Sequence, residues 1–129
     1  MLKRLILVVD DQESMRMLVC GALRALGFTQ IVAAANGSEA LKAMRERTID
    51  LVLMDVEMPV LNGFETLKAM REDAALANIP VVMVTSRADA AFVSSIKPLQ
   101  VSGYLVKPVT GAALKSCIDR VPARGGAAA

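Results

Sequence analysis

The sequence predicts an α/β protein with a flavodoxin-like, doubly wound (βα)5 fold, its five-stranded parallel sheet in the order 2-1-3-4-5. Three observations predict it. Five short apolar runs, rich in Val, Ile and Leu and mostly continuous, suit strands covered on both faces. A stretch with apolar residues at helical spacing follows each run, and right-handed crossovers then place helices on both faces of one sheet. The chain has 129 residues, 54% of them apolar and 22% charged, enough for one globular domain with its own core.

The first strand covers residues 5–9. Met15, Leu18, Val19, Ala22, Leu23 and Leu26 then recur at i, i+3, i+4 and i+7 spacing, and Gly27 is placed to stop this first helix. The second strand spans 30–34, and a helix carrying Ala40, Leu41 and Met44 follows, opened by Asn36 with Glu39 at cap-like spacing. The third strand spans 51–54 and its helix carries Phe64, Leu67 and Met70. The fourth spans 81–84, with Ala88, Ala91, Phe92, Ser95, Ile96 and Leu99 on the helix after it. Pro98 interrupts that pattern. Proline lacks the backbone donor and clashes with the preceding turn, so helix 4 is expected to end by about Lys97, or to be kinked or loosened. The fifth strand spans 104–106, and Thr110 caps a last helix bearing Ala113, Leu114, Cys117, Ile118 and Val121. The domain is expected to cover 1–122, with 123–129 a frayed C-terminal tail of small residues.

Composition removes several functions. Net charge is only +2, with both signs interleaved, so the basic stripe of a nucleic-acid binder is missing. There is no His, which excludes histidine metal sites and histidine acid–base chemistry. Cys20 and Cys117 lie in apolar helical patterns, far apart in sequence, and read as buried small residues rather than a redox or metal motif. No apolar run approaches the roughly 18 residues of a membrane span. The start of the chain is too short for a signal peptide before acidic residues follow. The expectation is a cytoplasmic, monomeric protein.

In an open α/β sheet, ligands bind beyond the carboxyl ends of the strands. There the first strand delivers Asp10 and Asp11, the third Asp55, the fourth Thr85 and Ser86, and the fifth Lys107 and Pro108. Adjacent carboxylates raise one another's pKa, and a hard divalent cation with oxygen ligands relieves that; Mg²⁺ suits this set better than zinc. Lys107 can act as a point charge on an anionic ligand. A strand-end hydroxyl can donate to the same oxygen. An Asp carboxylate is a competent nucleophile toward phosphorus, in chemistry that asks the protein mainly for positioning and charge neutralisation. Taken singly, Asp10 and Asp11 could cap the first helix, and Asp55, Thr85 and Lys107 could be ordinary strand-end residues. Their joint placement at four strand ends argues for a site.

With these residues, Val8-Val9-Asp10-Asp11, Leu53-Met54-Asp55-Val56-Glu57-Met58-Pro59 with Asn62-Gly63, Thr85-Ser86 and Tyr104-Leu105-Val106-Lys107-Pro108, the chain resembles the CheY-like receiver domain of bacterial two-component response regulators, of the single-domain type, over nearly its whole length. The resemblance implies that Asp55 is the phosphoacceptor. It implies that Mg²⁺ is held by Asp11 and Asp55, by Asp10 largely through water, and by the backbone carbonyl of Glu57. Thr85 and Lys107 would bind the phosphoryl group, Thr85 and Tyr104 would form the switch, and the Lys107–Pro108 peptide bond would be cis. Glu57 and Arg87 would tune phosphate lifetime, paired across the pocket mouth. The partners implied are a sensor histidine kinase or phosphotransfer protein and a downstream protein target that reads the face of helix 4, strand 5 and helix 5, chemotaxis being one such pathway. Such a chain catalyses only its own phosphorylation and dephosphorylation. Two other readings stand beside it. One is a receiver that binds partners without phosphorylation. The other is a small aspartate-nucleophile phosphatase of the haloacid-dehalogenase type, which usually carries its nucleophile on the first core strand with a second Asp two residues on, where this chain has the third strand and Glu57.

Overall fold

The computed structural model describes residues 4–58, 62–86 and 89–121. Strands β1 (Ile6–Val9), β2 (Ile31–Ala34), β3 (Leu51–Asp55), β4 (Val81–Thr85) and β5 (Gly103–Val106) alternate with helices α1 (Glu13–Ala25), α2 (Gly37–Glu46), α3 (Gly63–Glu72), α4 (Ala90–Ile96) and α5 (Gly111–Asp119). The strands form one sheet in the order β2-β1-β3-β4-β5, and every pairing is parallel. No helix among the described residues is long and apolar enough to cross a membrane.

The alternation of side chains along each strand splits the core into two layers. Leu7, Val9, Val52, Met54, Val81 and Met83 face α2 and α3, where Ala40, Met44, Leu67 and Met70 meet them. Ile6, Val8, Leu51, Leu53, Val82 and Val84 face α1 and α5, against Val19, Cys20, Leu23, Leu114 and Ile118. This two-sided burial explains why the central strands read as continuous apolar runs rather than alternating ones.

Local chemistry sets the helix starts. Asn36 accepts from the Glu39 N–H at 2.9 Å. Asn62 and Glu65 form a reciprocal capping box before α3, Asp89 caps α4 through the Phe92 N–H, and Thr110 caps α5 through the Ala113 N–H. Gly27 takes the positive φ of 103° that ends α1.

Some boundaries and faces differ from the sequence reading. β1 and β2 begin one residue later, at Ile6 and Ile31, while β3 and β4 extend one further, so Asp55 and Thr85 are the last strand residues themselves. β5 begins at Gly103. On α1 the buried face runs through Val19, Cys20 and Leu23, leaving Leu18 51% exposed beside Met17; a helical stripe of six apolar positions is wider than the one groove α1 covers. α4 stops at Ile96 and a 3-10 turn, Lys97–Leu99, carries Pro98 in its first positions, where the missing N–H and fixed φ are harmless. Ala88, Arg87 and the expected tail at 123–129 lie outside the described residues.

Candidate functional site

The parallel register brings four strand ends to one edge. Asp10 follows β1 directly, Asp55 ends β3 opposite Val84, Thr85 ends β4 opposite Val106, and Lys107 follows β5. The Lys107 N–H donates to the Thr85 carbonyl at 2.8 Å, and the Val56 N–H to that of Val84 at 3.0 Å, so the sheet's bonding continues into the site. The Lys107–Pro108 peptide bond is cis. Beneath the pocket, Gly63 packs so closely that a side-chain carbon there would overlap the backbone of Asp55 and Val56. That close approach is what the Asn62-Gly63 pair permits.

Asp10 is 4% exposed and Asp55 1%, whereas Asp11 is open to solvent. One carboxylate oxygen from each lies within 4.8 Å of the others. The Gln12 N–H donates to Asp10 Oδ1 at 2.9 Å, and an Arg16 guanidinium nitrogen donates to the Asp10 carbonyl at 2.7 Å. The residue at the N-cap of α1 is Gln12, whose side chain makes no capping bond, so neither Asp10 nor Asp11 occupies the capping position that was their simpler explanation. Lys107 Nζ sits 3.0 Å from Asp55 Oδ1.

Burial first, and then the neighbouring Asp10 charge, push the Asp55 carboxyl above its ordinary value against the opposing pull of Lys107. Burial likewise pushes Asp10 up, with the Gln12 N–H and Lys107 opposing and Asp11 adding. For Lys107, burial would lower the pKa, but the bond to Asp55 and the charges of Asp55, Asp10 and Glu57 outweigh it and leave it raised. Two buried carboxylates and a third beside them, offset by one ammonium, form an electron-rich oxygen set. That donor chemistry fits a small hard cation.

Thr85 is fully buried. Its hydroxyl lies 3.5 Å from Glu57 Oε1, and Ser86 Oγ donates to both Glu57 oxygens, at 3.0 and 3.3 Å. The Glu57 N–H is 3.4 Å from Asp55 Oδ1. Tyr104 lies on β5 with its side chain 40% exposed. The structure therefore gathers Asp10, Asp11, Asp55, Lys107, Thr85 and Glu57 at one edge and turns Tyr104 outward, while Arg87 falls outside the described residues. Sequence reasoning missed the engagement of the Glu57 side chain by Ser86 and the hold of Arg16 on the Asp10 loop; no spacing rule signals either.

Fold and site together define a signalling receiver. The family model of the response regulator receiver domain matches residues 6–119, and the chain belongs to that family. Chemotaxis protein CheY-3 of Vibrio cholerae is 38% identical over 116 residues, 90% of this chain and 89% of that one. Chemotaxis protein CheY of Pseudomonas aeruginosa is 37% identical over 116 residues, 90% of this chain and 94% of that one. The solved structure of the Vibrio cholerae chemotaxis protein CheY4 superposes with a TM-score of 0.86 at 32% identity, covering 93% of this chain and 99% of that one. The chain is thus a CheY-type, phosphorylation-dependent response-regulator switch, and receiver domains are signalling proteins. Its family binds Mg²⁺ in an acidic pocket and works between histidine kinases and downstream targets.

Proposed function

We propose that Asp55 accepts a phosphoryl group from a histidine kinase or phosphotransfer protein and that the resulting charge resets the face formed by α4, β5 and α5. The observation that carries this reading is the buried Asp55 carboxylate with the Lys107 ammonium 3.0 Å from one of its oxygens. A carboxylate oxygen of Asp55 attacks phosphorus, the bond from phosphorus to the donor's leaving atom breaks, and that atom leaves with its electron pair. Lys107 then pairs with a phosphoryl oxygen instead of the carboxylate. Attack by water later returns Asp55 and inorganic phosphate, the only reactions this chain promotes.

Asp10, Asp11, Asp55 and the Glu57 carbonyl are the groups that would hold Mg²⁺. Bound there, the ion would supply positive charge to offset that of the phosphoryl oxygens. Thr85 turns toward the phosphoryl group, Tyr104 moves from its exposed position into the space this opens, and the downstream protein reads the changed face. Glu57, with Arg87, governs the access of water. We place the protein in the cytoplasm as a monomer, its receiver domain covering 1–122 and a tail covering 123–129, with no direct contact with nucleic acid and no insertion into a membrane.

The test is incubation with a small phosphodonor and Mg²⁺, alongside Asp55→Asn. A labile acyl phosphate, cleaved by hydroxylamine, on wild type alone is the expected result. A folded protein that takes up no phosphate would favour a receiver acting without phosphorylation. Sustained turnover of phosphate esters would favour a phosphatase.

A further inference from the structure

We propose that Ser86 is a positioning residue for the switch: its hydroxyl parks the Glu57 carboxylate at the end of β4, so that Glu57 holds Thr85 only weakly. The proposal rests on the reading of Asp55 as phosphoacceptor. In an extended strand, consecutive side chains point to opposite faces, yet the hydroxyls of both Thr85 and Ser86 reach one carboxylate because β4 ends at Thr85. The two reach it unequally. Ser86 Oγ is 3.0 Å from one Glu57 oxygen and 3.3 Å from the other, while Thr85 Oγ1 is 3.5 Å away, at the long limit for a hydroxyl donor.

This inequality has a direction. Glu57 is a fourth carboxylate beside Asp10, Asp11 and Asp55, and a phosphoryl group on Asp55 adds further negative charge. When Thr85 turns toward that group, Glu57 loses its weaker donor and keeps its stronger one. Without the Ser86 hydroxyl, Thr85 becomes the hydroxyl donor nearest Glu57 among the described residues. The two then draw together, and turning Thr85 away strips the carboxylate of its partner. Ser86 thus lowers the cost of switching without touching the reacting atoms.

The experiment compares wild type, Ser86→Ala, Glu57→Ala and the double variant, each treated with a small phosphodonor and Mg²⁺. The Thr85 methyl NMR signal gives the ratio of turned to resting protein, and phosphate bound per chain is measured on the same samples. At equal phosphate occupancy, Ser86→Ala should lower the ratio roughly three- to tenfold, and the double variant should match Glu57→Ala. An unchanged ratio in Ser86→Ala, or a defect that persists once Glu57 is gone, overturns the proposal. A wild type that takes up no phosphate would instead sink the phosphoacceptor reading. A resting-state crystal structure of Ser86→Ala then still decides the positioning claim. Thr85 Oγ1 should move closer to Glu57 than 3.5 Å; an unchanged or longer separation refutes it.

Discussion

Lys107 Nζ and Asp55 Oδ1 form a 3.0 Å ion pair in which the carboxylate is almost wholly withdrawn from water. Lys107 is the principal cation pulling the Asp55 pKa down against burial and the Asp10 charge. Replacing it with an uncharged residue of similar length leaves only the weaker pull of the Glu57 N–H and keeps both raising effects in place. In Lys107→Met, the Asp55 carboxyl resonance should titrate at higher pH than in wild type, followed by carbon-13 NMR. A midpoint that stays or falls would show that the ion pair does not govern this carboxylate.

The raised pKa values of Asp10 and Asp55 carry a stability consequence of definite sign. The folded chain binds these protons more tightly than the unfolded chain. The resulting stabilisation is full below the ordinary carboxylate pKa and is lost as pH rises through the folded values. At neutral pH the crowded carboxylates therefore oppose folding. Asp10→Asn keeps the acceptor for the Gln12 N–H and deletes one charge. It should raise stability at pH 7 by on the order of 1 kcal/mol, with the gain shrinking toward acid pH. Urea denaturation at several pH values measures it, and a gain that grows toward acid would contradict the sign.

The same crowding should make Mg²⁺ a stabilising ligand. At a concentration about tenfold above its Kd, an ion that binds only the folded chain adds roughly 1.4 kcal/mol. Thermal unfolding of wild type should shift upward with added Mg²⁺, and the shift should shrink in Asp11→Asn, whose exposed carboxylate joins the cluster. Equal shifts in both proteins would remove Asp11 from the ligand set.

The sequence exposed those parts of the molecule in which one residue answers to one rule. Central strands covered on both faces appear as unbroken apolar runs, and Asn36 and Thr110 announce helix starts by their spacing to the N–H groups they accept from. Asp10, Asp55, Thr85 and Lys107 were readable because strand ends in this topology share an edge. Features set by tertiary neighbours were not. Leu18 fits the apolar period of α1 yet faces solvent, because the groove beneath the helix is filled by Val19, Cys20 and Leu23. Nothing in the charged stretch Arg71-Glu72-Asp73 singles out Arg71, yet its guanidinium is bonded to two separate loops.

Gln100 tests how the chain leaves α4. It caps the 3-10 turn at Lys97–Leu99 in the left-handed region, with φ 56° and ψ 47°, a conformation that costs a side-chain-bearing residue about 1 kcal/mol relative to glycine. Its side chain is exposed, so little packing is lost on removing it. Gln100→Gly should therefore stabilise the protein by roughly 0.5–1 kcal/mol, less any entropy that glycine returns to the unfolded chain. Chemical denaturation decides it; a clear destabilisation would mean that the Gln100 side chain contributes more than its exposure suggests.

Arg71 joins this turn to the rest of the domain. From α3, its Nε donates to the Leu99 carbonyl at 2.8 Å, Nη1 to those of Ala77 and Ile79 at 2.9 and 3.0 Å, and Nη2 to that of Gln100 at 3.2 Å. Burial pushes its pKa down, but a guanidinium stays charged far above physiological pH. The planar fork is what lets one side chain serve the loop before β4 and the turn after α4 together. Lysine, with a single ammonium, cannot reach both in the same geometry. Arg71→Met should cost about 3 kcal/mol by leaving several carbonyls without their donor, and Arg71→Lys should recover only a minor part of it. The loss should also be local before it is global. Amide hydrogen exchange should speed up first across residues 97–102, ahead of β4. Uniform acceleration throughout the domain would show instead that Arg71 supports the core as a whole and not the attachment of this turn.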